Sequence, residues 1–393
     1  MKVAVIVSEF IDKMKNFQEL ILKFINSENK EQSVFYLNQF KELSDSHQIR
    51  KDKEELKILL RLIVSVSVIV HRPPNFFPKI EQLLKLFLKD IKKYYSNAEI
   101  FQIFKLNKRV LLFLYAEEIF IPDVLNIEKF FQIYFFPEFK IFYNEKLCQE
   151  IITKAPEVEN FQLFAEKRKS GENEDFLCKL IREDSVAEFI TYVSKENISS
   201  SSTIKQSPIL ETNLYLRIND SPTLIEYSAF YGSIQIFQYL RLNGAELDPS
   251  LWLYAIHGNN PDLIHLLEEF HVKPENNGFS DCVSFSIQCH NFEFMNYFLN
   301  NLENDGNPYF YRDCVEFFNF IALSEIKENE KNESQLMIDL FALFCEFGYL
   351  SVVLDIIKNT DVDLWNKKVT ETVFKLFFKK ILFYYYYHYK CCS

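Results

Sequence analysis

The sequence predicts an all-α protein, in which an N-terminal helical domain continues into a degenerate array of helical repeats. The chain of 393 residues holds only 7 Gly and 12 Pro beside 41 Phe and 21 Tyr. Few helix breakers and many large apolar residues favour long helical runs. Apolar residues also recur at helical spacing near the N-terminus, and two glycines stand twelve residues apart inside a helical pattern further along.

The N-terminal region shows the helical periodicity most clearly. One face of the segment 10–25 carries Phe10, Met14, Phe17, Ile21 and Phe24, which is the spacing of a buried helical stripe. Helix-start signals follow downstream: Asn75 with Pro78 opens one helix, and Ser96 with Glu99 forms a capping box. We predict a helical domain over residues 1–145 and a connecting segment over 146–174.

The stretch TLIEYSAFYGSIQIFQYLRLNGAE, residues 223–246, predicts a pair of short helices. Thr223 and Glu226 form a capping box at the start of the first helix. Gly232 and Gly244 suit the left-handed conformation that ends each helix. The second helix then buries Ile236, Phe237 and Leu240 on one stripe. Such a pair cannot bury its apolar faces alone, so neighbouring copies are expected.

This stretch resembles an ankyrin repeat, whose pattern is roughly T-P-L-H-x-A-A-x-x-G, an I-V pair, an L-L pair and G-A-D; a generic helical hairpin is the alternative. Weaker copies lie at about 175–198, 250–272, 281–302 and 342–363, within a predicted repeat region of 175–365. Asp184, Asn259, His271 and Gly348 stand at turn positions of these copies. The insertions at 199–222, with the run SSSST, and at 303–335, rich in acidic residues and Asn, are predicted to be exposed loops.

A larger part of the chain, about residues 10–365, is similar to a family of trichomonad-type protists in which a domain without assigned function precedes ankyrin repeats. The similarity is carried by HRPPNFFPKIEQLL (71–84), YYSNAEIFQIFKLNKRVLLFL (94–114), KRKSGENEDFLCKLIREDSV (167–186) and the segment 223–269. The resemblance implies a fold and a domain order, and it implies no activity.

Composition excludes several classes of function. The net charge of -11 argues against nucleic acid as the main partner, because phosphate binding needs a basic surface. No apolar run matches a secretory signal or a bilayer span. The 8 cysteines include no C-x-x-C pair, which favours a reduced, intracellular and cytoplasmic setting.

The sequence offers no catalytic motif, so we expect a protein that is not an enzyme and has no cofactor. The 7 glycines cannot form a phosphate-binding loop. The densest group of possible metal ligands does not have the paired short spacing of a zinc site, and we interpret its members as ordinary repeat positions. Its members are His257, His265, His271, Cys282, Cys289 and His290.

The expected function is protein binding through the concave face of the repeats. The candidate contact residues, read from the repeat register, are Glu226, Phe230, Tyr231, Glu246, Asp248, His257 and Gln288. Exposed aromatic residues there would act as anchors, and the alternative is that Phe230 or Tyr231 packs against the neighbouring repeat. The partner is expected to be another protein of unknown identity, and a membrane is not expected.

The segment 366–393 departs from the repeat pattern, because it is basic and aromatic and is not an evident polar cap. Two alternatives to a plain binding module follow from it. The tail could anchor a membrane-associated scaffold, or the chain could be a truncated copy with no independent function.

Overall fold

The computed structural model describes residues 2–122, 128–204, 209–219, 221–275, 278–301, 310–328 and 332–359. These residues form α-helices and three short 3-10 helices, and no β-strand occurs among them; Thr203 and Thr223 make a single isolated bridge. The predicted all-α class is confirmed. The basic aromatic tail, 366–393, lies outside the described residues.

The helices of the described residues are numbered in chain order. The first twelve are α1 Lys2–Ile25, α2 Lys30–Ser46, α3 Lys53–Ile69, α4 Phe76–Lys85, α5 Leu88–Tyr94, α6 Asn97–Phe104, α7 Lys108–Ala116, α8 Lys129–Tyr134, α9 Phe136–Phe139, α10 Glu145–Lys154, α11 Phe161–Lys167 and α12 Phe176–Arg182. The others are α13 Val186–Lys195, α14 Leu214–Ile218, α15 Leu224–Tyr231, α16 Ile234–Leu242, α17 Leu251–Gly258, α18 Pro261–Glu269, α19 Ser280–Gln288, α20 Phe292–Asn301, α21 Phe310–Glu316, α22 Phe320–Glu328, α23 Glu333–Phe347 and α24 Leu350–Asn359.

The described residues fall into two compact units. The first draws on residues 2–63, 82–90 and the described part of 306–393, and the second on 64–81 and the described part of 91–305. This grouping divides the predicted repeat region, because its last helical pair, α23 and α24, packs with α1 in the first unit. The predicted linear boundaries at 145 and 174 stay predictions.

The first unit is built around the apolar face of α1. Every residue predicted for this face is buried, and the helix packs against α2, α22 and α24. Phe10 meets the rings of Phe320, Phe344 and Tyr349 edge-on at centroid distances of 5.7 to 6.1 Å. Such edge-to-face pairs add to the free energy of burying the rings. The face predicted from spacing alone is therefore the centre of this unit.

The acidic insertion at 303–335 is predicted to be an exposed loop, and for residues 310–328 this is wrong. Residues 310–328 form α21 and α22, which bury Phe310, Cys314, Phe320 and Leu323. The charged run that follows these apolar residues obscured two helices of only 7 and 9 residues.

The second unit contains a row of helical pairs: α12 with α13, α15 with α16, α17 with α18, and α19 with α20. The first helices of the pairs stack in chain order, from α12 through α15 and α17 to α19. These are called the inner helices below. The left-handed residues fall where the sequence predicts them: Asp184, Gly232 and Asn259 between paired helices, and Gly244 and His271 after the second helix.

Candidate binding surface of the repeats

The inner helices α15 and α17 approach each other closely. A Cβ atom built on Gly258 would lie 2.1 Å from the carbonyl oxygen of Ala229, and one built on Gly232 would lie 2.7 Å from the carbonyl oxygen of Gly258. Gly232 also has a φ of 72°, which closes α15. Both glycines are needed because backbone meets backbone here.

The start of α15 is fixed by the predicted capping box. The Oε2 atom of Glu226 accepts a hydrogen bond from the Thr223 amide at 2.7 Å, and the Glu226 amide donates to Thr223 Oγ1 at 3.3 Å. The other carboxylate oxygen of Glu226 accepts from the Ser250 hydroxyl at 2.7 Å, just before α17. Glu226 is half-buried, and its bonds to Thr223 and Ser250 join two successive repeats.

An exposed loop is predicted at 199–222, and for residues 209–218 this is wrong, because several of their side chains are buried. We call residues 209–218 the strap. Glu211, Thr212, Asn213 and Leu216 are fully or almost fully buried. The amide and the hydroxyl of Thr212 both donate to the carbonyl of Gly171, at 3.0 and 2.6 Å. The strap packs on the inner helices, so their inner face is covered by the chain itself.

Asn213 fastens the strap to His257 of α17. Its Oδ1 atom accepts from the amides of Tyr215 and Leu216 and caps α14, so its Nδ2 group must face the imidazole. The Asn213 Nδ2 and His257 Nε2 atoms are 2.9 Å apart, and His257 Nδ1 lies 3.1 Å from the carbonyl oxygen of Phe230. Accepting at Nε2 and donating from Nδ1 requires the neutral imidazole.

The surroundings of His257 hold it in this neutral form. Its ring stacks on Phe230 at a centroid distance of 3.6 Å and an interplanar angle of 9°. Burial lowers the pKa of His257 well below its usual range, and the neighbouring His71 lowers it further. Burial also lowers the pKa of His71.

Tyr215 of α14 lies across three inner helices. Its ring centroid is 6.4 Å from that of Phe230, parallel to within 5°, 5.0 Å from that of Tyr254 and 4.8 Å from that of Phe285. These rings belong to α15, α17 and α19. One side chain of the strap therefore contacts three successive repeats.

A buried charged cluster holds the other end of the strap. Arg72 Nη1 lies 3.4 Å from both Glu172 Oε1 and Glu211 Oε1, and Arg72 Nη2 donates to Thr212 Oγ1 at 2.8 Å. Burial acts to lower the pKa of Arg72, but the two carboxylates outweigh it, so the pKa is raised. Burial raises the pKa of Glu211, and the charge of Arg72 opposes this shift. Arg72 is thus held in its charged form.

Tyr231 lies beside this cluster. Burial, followed by the charges of Glu211 and Glu172, raises the pKa of its phenol well above the usual value. Its hydroxyl oxygen is buried and has no hydrogen-bond partner among the described residues.

The structure therefore divides the predicted contact residues. Phe230 and His257 are 1% and 2% exposed, so their assignment to an open binding surface is wrong, and the alternative that Phe230 packs against the next repeat holds. Tyr231, Glu226 and Gln288 are half-buried. Glu246 and Asp248 are exposed on the finger, the connection between α16 and α17.

Sequence reasoning missed Arg72, Glu211, Asn213 and Tyr215. Asn213 had a readable signal, since Asn directly before the apolar run LYLRI is a helix N-cap pattern. Nothing local marks Glu211 as buried, because its partner Arg72 lies 139 positions earlier in the chain.

Two further findings concern the described residues alone. They contain no group of three or more His, Cys, Asp or Glu side chains able to hold a metal ion. No helix among them is long and apolar enough to cross a membrane.

Comparison with protein families gives one match. Residues 243–325 match a domain of unknown function (DUF3447), a domain found in ankyrin-repeat proteins. The matched range includes α17 to α21 and part of α22. No curated protein and no solved structure matches the chain. The chain is thus all-α and helical repeat-like, with a segment similar to this domain, and this architecture is compatible with protein interaction.

Proposed function

We propose that this chain is a non-enzymatic ankyrin-type interaction module that binds another protein through its finger edge. This name denotes the exposed residues in the connections from α16 to α17 and from α18 to α19. The observation that carries the proposal is the ordered stack of inner helices, with left-handed turns in register, which presents the fingers in a fixed row. Binding of this kind makes and breaks no covalent bond. Because the strap covers the inner face, the finger edge replaces the inner aromatic residues as the proposed contact surface.

The chemistry of the finger edge indicates the kind of partner. Glu246 and Asp248 are exposed on one finger, and Glu275 is exposed on the next. Lys273 is the exposed cation beside Glu275. The chain as a whole carries a net charge of -11. Such a surface favours a partner with a basic contact segment, because complementary charge steers association and fixes register.

The test is a charge reversal on the finger with a matched control elsewhere. The variant Glu246→Lys, Asp248→Lys is compared with Glu188→Lys, Glu293→Lys, which makes the same charge change on exposed positions of α13 and α20. Proximity labelling in the source cells should lose a defined partner set with the finger variant only. The proposal fails if both variants keep the same partners as the unaltered chain, with helicity unchanged.

A further inference from the structure

We propose that the inner face of the second unit is a peptide-binding groove whose resident occupant is the strap. The groove fits a partner segment with a carboxylate, an amide and an aromatic ring at alternate positions, in the order Glu-x-Asn-x-Tyr. This proposal rests on the proposed function as an interaction module and names a second contact surface for it.

The three alternate residues of the strap each have their own recognition group on the groove. Glu211 meets the guanidinium of Arg72, Asn213 meets the imidazole of His257, and Tyr215 meets the rings of three inner helices. A carboxylate on a guanidinium, an amide on a ring nitrogen and stacked aromatic rings are contacts that a peptide can reproduce. The strap thus shows which side chains the groove accepts.

The strap does not satisfy every polar atom of the groove. Arg72 Nε and the Tyr231 hydroxyl are buried and have no hydrogen-bond partner among the described residues. A buried polar atom without a partner costs free energy in the closed form. An incoming segment that reaches any of these atoms gains a contact that the strap does not make, so it has a basis for competition.

The first residues of the strap provide a starting point for exchange. Ile209 and Leu210 form one wall of a separate surface cavity of about 1090 Å³, which is also lined by Phe130, Phe161 and Leu163. Phe161 and Leu163 are 36% and 51% exposed. A partner segment can therefore contact apolar surface beside the strap before it displaces Asn213 and Tyr215.

The covalent connection of the strap sets the strength of competition. A tethered segment acts at an effective concentration of about 1 mM or more, so a free peptide should not enter the groove of the unaltered chain at lower concentrations. Weakening the strap without touching the groove should open the site. Asn213 and Tyr215 are suitable positions because their own side chains make the contacts.

The experiment uses a fluorescent peptide of residues 209–219, ILETNLYLRIN, and the full chain. Anisotropy should show at least roughly tenfold tighter binding to the Asn213→Ala, Tyr215→Ala chain than to the unaltered chain. A control peptide with the same two alanine substitutions should not bind. The proposal is overturned if the folded variant does not bind the peptide, or if the unaltered chain binds it equally well.

A milder variant keeps the test valid if the double variant fails to fold. Tyr215→Leu retains apolar bulk, and the peptide added in trans should raise its melting temperature while leaving that of the unaltered chain unchanged. No rise in the variant overturns the proposal. Failure here is distinguishable from failure of the finger edge, because the charge-reversal experiment is done with an intact strap.

Discussion

The contact between Gly258 and the backbone of α15 makes a substitution there strongly informative. Gly258 lies in α17 with a helical backbone, so the change Gly258→Ala would stabilise a solvent-exposed helix without packed neighbours by about 1 kcal/mol. In the structure its new Cβ would lie 2.1 Å from Ala229 O, and at 3.0 and 3.2 Å from Gly232 N and Cα. All three obstacles are backbone atoms, which cannot rotate away. Relief requires α15 and α17 to move apart.

The expected cost follows from these two effects. Overpacking against rigid neighbours costs about 3 kcal/mol, at the upper end of the usual range, so the net loss of unfolding free energy is about 2 kcal/mol after the gain in helix propensity. For a unit of this size the melting temperature should fall by roughly 4 to 8 °C. Thermal unfolding followed by circular dichroism measures the shift.

Gly244 supplies the control for this substitution. Its φ is 87° and nothing lies within 4 Å of a Cβ built there, so Gly244→Ala tests backbone strain alone, at about 1 kcal/mol. Gly258→Ala should destabilise the chain more, although its helical backbone favours alanine. A melting temperature at or above that of the unaltered chain for Gly258→Ala would refute the close approach of the two helices.

Three further predictions concern buried polar groups. Burial depresses the pKa of His257 below the usual histidine value of about 6.5, so the unfolded state protonates first and stability falls as pH drops below that value. The loss of unfolding free energy between pH 7 and 5 should therefore be about 2 kcal/mol smaller in His257→Asn, and an equal loss in both chains would contradict the burial of a neutral imidazole. Arg72→Met should lower the unfolding free energy measured in urea by about 3 to 5 kcal/mol, because it leaves the buried charge of Glu211 unpaired. Adding Glu211→Gln should recover part of this loss, and losses that simply add in the double variant would contradict the pairing. Gln18→Leu should cost about 1 to 3 kcal/mol, because Gln18 Nε2 donates to Asn319 Oδ1 just before α22 and Gln18 Oε1 accepts from the Ile321 amide inside it. An unchanged urea midpoint would contradict this role.

Local sequence patterns predicted the features that local physics determines. The stripe of α1 follows from apolar spacing, and the capping boxes at Ser96 and Thr223 follow from side chains three residues apart. The turn at Asn259 was predicted by alignment with Gly232, and both residues are left-handed. In each of these cases the determining neighbours lie within one or two turns of helix.

Features that depend on distant partners were not predictable in this way. The strap contains a helix of only 5 residues, too short for a periodic signal, and it follows a serine-rich run typical of exposed loops. Its burial depends on Arg72, on Gly171 and on the rings of three inner helices. The same covering explains why Phe230 and His257, which the repeat register places on the open face, are buried.

The left-handed turns carry a consequence for the stability of the repeats. Three non-glycine residues are left-handed, with φ values of 48° at Asp184, 55° at His271 and 55° at His290. This conformation costs about 1 kcal/mol of local strain at each of them. Helix stacking, rather than turn chemistry, therefore imposes these conformations. The repeats consequently retain an accessible margin for stabilisation: glycine at the exposed position of His271 would relax the turn while leaving every packed side chain in place.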